Sequence, residues 1–185
     1  MRQAHLPSLN ADDYLEGELK SEIRHEFVNG EVYAMAGAGE AHNLVAGNIF
    51  SRLRGVARGG PCRVFISDMK IRVAAWNAFY YPDILLTCNP SDTQPYFKEH
   101  PCLIVEVLSP STEGIDRREK MLAYRTLPSL REYVLIAQDK RLVEVYRCGE
   151  NGAWSVETLS EGDLLRLECV DVSMTLDEVY EDVPG

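Results

Sequence analysis

The chain has 185 residues, 45% hydrophobic and 26% charged, a balance that suits one globular domain and excludes disordered, collagen-like and fibrous chains. Its net charge of −10 speaks against a protein that coats nucleic acid. The charge is uneven, however: residues 1–40 hold 3 basic and 8 acidic groups, residues 150–185 hold 1 and 10, and residues 41–149 hold 15 and 11, so a polyanion is admissible where it meets the central segment.

In chain order, Asn10 followed by residues 11–20 predicts a short capped helix. Asn29-Gly30 between Glu26-Phe27-Val28 and residues 31–35 predicts a β-hairpin, since Asn-Gly between apolar-rich arms favours the tight two-residue turn. Leu44, Val45, Ile49 and Leu53 recur at helical spacing, which predicts a helix over 41–56 that ends at Gly59-Gly60-Pro61. Strands are expected over 62–66, 69–73, 79–88 and 102–108, then a helix over 115–126 stopped by Pro128. Strands at 132–137, 142–147, 154–159 and 164–167 follow, separated by turns such as Asn151-Gly152. This order predicts an α/β fold of the α+β kind, a mixed β-sheet flanked by helices with an N-terminal helix and hairpin, rather than a doubly wound alternation. With no repeat or linker, residues 1–185 read as one unit: helix and hairpin in 1–40, a core in 41–149, and acidic C-terminal strands with a short helix in 150–185.

Two carboxylates interrupt apolar runs: Asp83 within 79–88 and Glu106 within 102–108. A buried unpaired charge is costly, so each needs a cation or hydrogen bonds beside it. An arginine such as Arg63, Arg72 or Arg131 could serve either acid alone, whereas the two together suit a hard divalent ion such as Mg²⁺. Asp116, Lys120 and Tyr124 are four apart and share a helix face. As an exposed ion pair Asp116 and Lys120 would contribute only a few tenths of a kcal/mol, roughly; turned over the sheet, Lys120 would place an ammonium near the carboxylates.

Pro82-Asp83, then Glu106 in an apolar strand followed by a helix, resembles the PD-(D/E)XK nuclease superfamily, the fold of many restriction endonucleases. More closely, Asn29-Gly30-Glu31, His42, Tyr81-Pro82-Asp83, the run from Val105 to Thr112, the stretch from Asp116 to Tyr124 and Glu132-Tyr133-Val134 resemble the Uma family of restriction-endonuclease-like proteins. The resemblance spans about residues 10–180. It implies a Mg²⁺- or Mn²⁺-dependent endonuclease acting on nucleic acid, DNA above all, with Asp83, Glu106 and the Val107 backbone carbonyl as metal ligands. Leu108 stands where the superfamily pattern has its lysine, two residues after the acid, and this nominates Lys120 from the next helix as the catalytic ammonium. Glu31, His42, Asp116 and Tyr124 are expected to support the site or form its rim. Arg52, Arg54, Arg58, Arg117 and Arg118 are expected to contact phosphates, and double-strand cleavage implies a homodimer. The competing expectation is a catalytically silent module that binds nucleic acid or protein.

No apolar run approaches the roughly 18 residues that cross a bilayer, and residues 1–12 lack the apolar core of a signal peptide, so a cytoplasmic location without membrane contact is expected. Cys62, Cys88, Cys102, Cys148 and Cys169 form no C-x-x-C spacing and read as small buried apolar residues.

Overall fold

The Asn10 side chain accepts from the Asp13 N–H at 2.8 Å and so caps helix α1 (Ala11–Glu18). The structure, a computed structural model, describes residues 9–184; most of the segment used for the leader expectation, residues 1–8, and residue 185 lie outside the described residues. Asn10→Ala should lower stability by about 1 kcal/mol, read as a fall in the urea midpoint at unchanged slope. Asn29 (φ 49°) and Gly30 (φ 97°) both take the left-handed conformation that a type I′ turn requires. They join β1 (His25–Val28) to β2 (Glu31–Ala34) with Val28 opposite Glu31.

Helix α2 (Glu40–Ala57) presents Val45, Ile49 and Leu53 to the interior and leads into β3 (Arg63–Ile66) and β4 (Lys70–Val73). The single strand expected over 79–88 is instead two, β5 (Ala78–Tyr80) and β6 (Ile84–Thr87), in different sheets. Pro82 explains the break, because it offers no N–H to a ladder and restricts the residue before it. Two-residue β7 (Phe97–Lys98), too short for a sequence signal, precedes β8 (Leu103–Leu108). The expected helix over 115–126 is a compound segment: α3 (Glu113–Ile115), a π-helical turn (Asp116–Lys120) and α4 (Met121–Tyr124). Strands β9 (Glu132–Ala137), β10 (Val143–Cys148), β11 (Trp154–Leu159) and β12 (Leu164–Leu167) follow. A 3₁₀ turn (Glu168–Val170), β13 (Val172–Thr175) and α5 (Leu176–Val179) close the chain.

The fold is α+β as expected, but the strands divide between sheets. A six-stranded sheet has the order β11-β10-β9-β8-β6-β3, a five-stranded sheet the order β2-β1-β5-β4-β7, and β12 pairs with β13 alone. Only β8 and β9 run parallel in the six-stranded sheet, as the helical segment between them allows. Both faces of that sheet are covered. Val105, Val107 and Ile136 pack with α2 and with Leu165, Met174 and Val179 from the C-terminal elements. Ile104, Leu108 and Leu135 pack with Ile71, Tyr80 and Tyr124 on the other side. Burial on both faces is why β8 and β9 read as near-continuous apolar runs, broken only by Glu106 and Glu132.

Among the described residues no helix is long and apolar enough to cross a membrane. The cysteines do not sit apart as the sequence suggests: Cys62 is bonded to Cys88 and Cys102 to Cys169, with Cys148 free. Separations of 26 and 67 residues hide partners that only the tertiary fold brings together.

Candidate active site

Glu106 is 3% exposed although every neighbour along β8 is apolar. Its Oε1 accepts from the Tyr124 hydroxyl at 3.0 Å and from the Lys120 ammonium at 3.2 Å. These donors come from the helical segment that crosses from β8 to β9, so chain connectivity itself lays Lys120 over the acid. The ammonium also lies 3.2 Å from Asp116 Oδ1 and 3.0 Å from Glu26 Oε1. Burial alone would lower the Lys120 pKa, but Glu106, Glu26 and Asp116 together hold it well above its usual value. Burial drives the Glu106 carboxyl well above the ordinary carboxylate range; Lys120 opposes this, and the charges of Asp116, Asp83 and Glu26 add to it. Lys120 is therefore the buried lysine turned over the sheet toward the carboxylates, the second of the two sequence readings, and not a surface ion pair.

Asp83 sits just before β6 rather than within a strand. Its backbone carbonyl accepts from the N–H of Ser67, which is held in the left-handed conformation (φ 57°), and this anchors the segment where it enters the sheet. Its Oδ2 accepts from the Val107 N–H at 2.7 Å and lies 3.2 Å from His42 Nε2 near the start of α2. Burial depresses the His42 pKa, but the hydrogen bond and charge of Asp83 outweigh it and the net shift is upward. The Asp83 N–H reaches Glu106 Oε2 only at 3.4 Å.

A cleft of about 410 Å³ opens onto this cluster and is lined by His42, Asp83, Glu106, Asp116 and Lys120. Ser109, Ser111, Thr112, Asn43 and Gln138 add neutral donors at its wall. Three carboxylate oxygens facing this region are under-bonded. Asp116 Oδ1 is buried with the Lys120 ion pair but no well-formed hydrogen bond, Glu106 Oε2 has only the long contact above, and neither interaction of Asp83 uses Oδ1. Hard oxygen donors left short of partners beside an excess of negative charge fit a divalent ion of the Mg²⁺ type.

The structure thus gathers Asp83, Glu106, Val107, Asp116, Lys120, Tyr124 and His42. Other assignments it does not support. Glu31 is exposed on β2, where it accepts from Tyr33, and it does not line the cleft. The hairpin contributes Glu26 instead, which also accepts from the Tyr81 N–H at 3.1 Å; no local motif marks it, because the pairing of β1 with β5 is what carries it inward. Arg52 and Arg54 lie on the far half of α2 and Arg58 just past its end, at about 1.5 Å per residue roughly 15 Å or more along the axis from His42. Arg52 also bonds the Ser173 carbonyl. Arg117 is engaged by Glu113 and Glu144, whereas Arg118 is exposed.

Residues 11–177 match the Uma2 family, described as "Putative restriction endonuclease". Two proteins of Synechocystis are similar along most of their length. One, slr1290, is 32% identical over 178 residues, covering 96% of this chain and 94% of its own; the other, sll1609, is 35% identical over 155 residues, covering 82% and 87%. The crystal structure of a protein from Anabaena variabilis, described as "a putative nuclease belonging to DUF820", superposes with a TM-score of 0.74 at 16% identity over 93% of this chain and 97% of that one. At that identity the likeness carries the fold.

Proposed function

The chain belongs to the Uma2 family, and from that premise we propose that it is a metal-dependent endonuclease that hydrolyses phosphodiester bonds, with DNA as substrate. The observation that carries this reading is the group of under-bonded carboxylate oxygens of Asp83, Glu106 and Asp116 around one buried ammonium at the floor of an open cleft. Asp83 and Glu106, with the Val107 carbonyl, would hold the ion, and Asp116 stands within reach to complete the set. A bound Mg²⁺ or Mn²⁺ supplies Lewis acidity toward the phosphate and lowers the pKa of a coordinated water.

The protein's own groups do the rest. Val107 N–H and His42 fix Asp83, and Tyr124 fixes Glu106, so the two carboxylates are oriented before substrate arrives. Lys120 is the cation lining the cleft floor, where its fixed charge offsets the negative charge that builds on the phosphate during attack. The hydroxyls and amides of Ser109, Ser111, Thr112, Asn43 and Gln138 can bond phosphate oxygens without reading bases. With Arg52, Arg54 and Arg58 remote and Arg117 already paired, phosphate contact falls to these neutral donors; Arg118 is exposed but does not line the cleft. Cutting both strands of a duplex at one place suits two such clefts, so we propose a homodimer.

The deciding experiment incubates the protein with single- and double-stranded DNA and RNA in Mg²⁺ or Mn²⁺, beside Glu106→Gln. Cleavage that needs the ion and fails in Glu106→Gln is the expected result. No cleavage of any substrate in either metal by a folded wild-type protein would reject the proposal in favour of a binding module with an inherited fold.

A further inference from the structure

Four of the five cysteines converge at the end of the six-stranded sheet opposite the cleft. Cys62 immediately precedes β3, Cys88 follows β6 and Cys102 precedes β8. The registers Arg63 with Thr87 and Leu86 with Leu103 bring these strand ends side by side. Cys169 arrives from the 3₁₀ turn after β12, where its N–H donates to Glu132 at the start of β9 at 2.9 Å. Asp83 and Cys88 bracket β6, so the two sites are separated by about 17 Å at the rise of a strand.

The two bonded pairs are not independent staples. Cys88 Sγ lies 4.0 Å from Cys102 Sγ, and the sulfurs of Cys88, Cys102 and Cys169 are all within 4.8 Å of one another. Cys62, bonded to Cys88, brings a fourth sulfur beside Cys88, just outside the group of three that lie within 4.8 Å. In a tetrahedral thiolate site with metal–sulfur bonds of about 2.3 Å the sulfurs stand roughly 3.8 Å apart. The quartet is half-buried and packed against the core that contains Val64, Leu86 and Leu103, as closed structural sites are. All four ligands are soft sulfur, in contrast to the hard oxygens of the cleft, so the two sites select different ions.

We propose that, once reduced, Cys62, Cys88, Cys102 and Cys169 form a tetrathiolate site for a zinc-class ion that ties β3, β6 and β8 to the C-terminal turn. Each disulfide takes up two electrons from a phosphine or dithiol reductant, together with two protons, to give two thiols. With a phosphine, water supplies the protons and the oxygen of the phosphine oxide. The four thiols then lose four protons as they bind one divalent ion.

The test uses the full chain, reduced with a phosphine that is removed under anaerobic conditions, and titrated with Co²⁺ alone. One equivalent should produce the strong visible ligand-field bands and near-ultraviolet charge transfer of tetrahedral cobalt thiolate, and one equivalent of Zn²⁺ should erase them. Cys148→Ser should keep the spectrum, whereas Cys88→Ser and Cys169→Ser should each lose it. Zn²⁺ should also raise the Tm of the reduced protein while Mg²⁺ does not. If a serine variant fails to fold, the wild-type spectrum decides alone. Reduced wild type showing only weak octahedral cobalt bands, or a tetrahedral spectrum that survives in a folded Cys88→Ser, would overturn the proposal and leave the quartet as two disulfides.

Discussion

Lys120→Met is expected to abolish metal-dependent cleavage and to lower stability by about 3–5 kcal/mol, because it removes the partner of several buried carboxylates at once. Glu106, Glu26 and Asp116 all lie within 3.2 Å of the ammonium, and Lys120 itself is only 5% exposed. Methionine retains most of the stem, so the loss reports charge rather than packing. Adding Glu106→Gln should recover part of the stability, since one orphaned carboxylate becomes a neutral amide, while cleavage stays absent. Urea denaturation of wild type, both single variants and the double variant closes that cycle. Wild-type stability in Lys120→Met would show that the acids do not depend on it. A lysine placed at 108 would share a face with Glu106, but Leu108 is 5% exposed within the packed core, so Leu108→Lys is expected to destabilise the protein rather than restore activity.

The second large effect belongs to Asp83→Asn. Cleavage should fall by at least about 100-fold while the fold persists, since the amide oxygen can still accept from Val107 N–H but an uncharged group is a poor ligand for a divalent ion. Cleavage rate against Mg²⁺ concentration, with circular dichroism to confirm folding, measures both. An unchanged rate would remove Asp83 from the site.

Local signals were legible where local physics decides the structure. Asn29-Gly30 and the apolar spacing along α2 are of that kind, and so is Glu106, an acid with no polar neighbours in its strand. The four-residue spacing of Asp116, Lys120 and Tyr124 correctly put them on one face, although nothing in the spacing says that the face is buried. Glu26 was illegible because its role depends on the pairing of β1 with β5 across some fifty residues of chain. The arginines misled for a related reason: nearness in sequence to His42 does not reveal that a straight helix carries them toward the opposite end of the sheet. The cysteine quartet was hidden because its members sit singly at strand ends and in a turn, and only the sheet order makes them neighbours.

The π-helical turn lets the length of one segment vary by a residue without misplacing its ends. A π turn holds one residue more than the α-helical path, and such turns recur at functional sites. Here Asp116 and Lys120 lie at its two ends and meet at one carboxylate cluster. Deleting a single residue between them would close the turn to α-helix and rotate one end by only about 30° relative to the other, because the π turn takes up the extra residue locally. An alignment could then show a relative with every acid, the lysine and the tyrosine intact, and one gap over positions 117–119. That relative would still bring both ends to the cluster, and the gap would be no sign of a lost site.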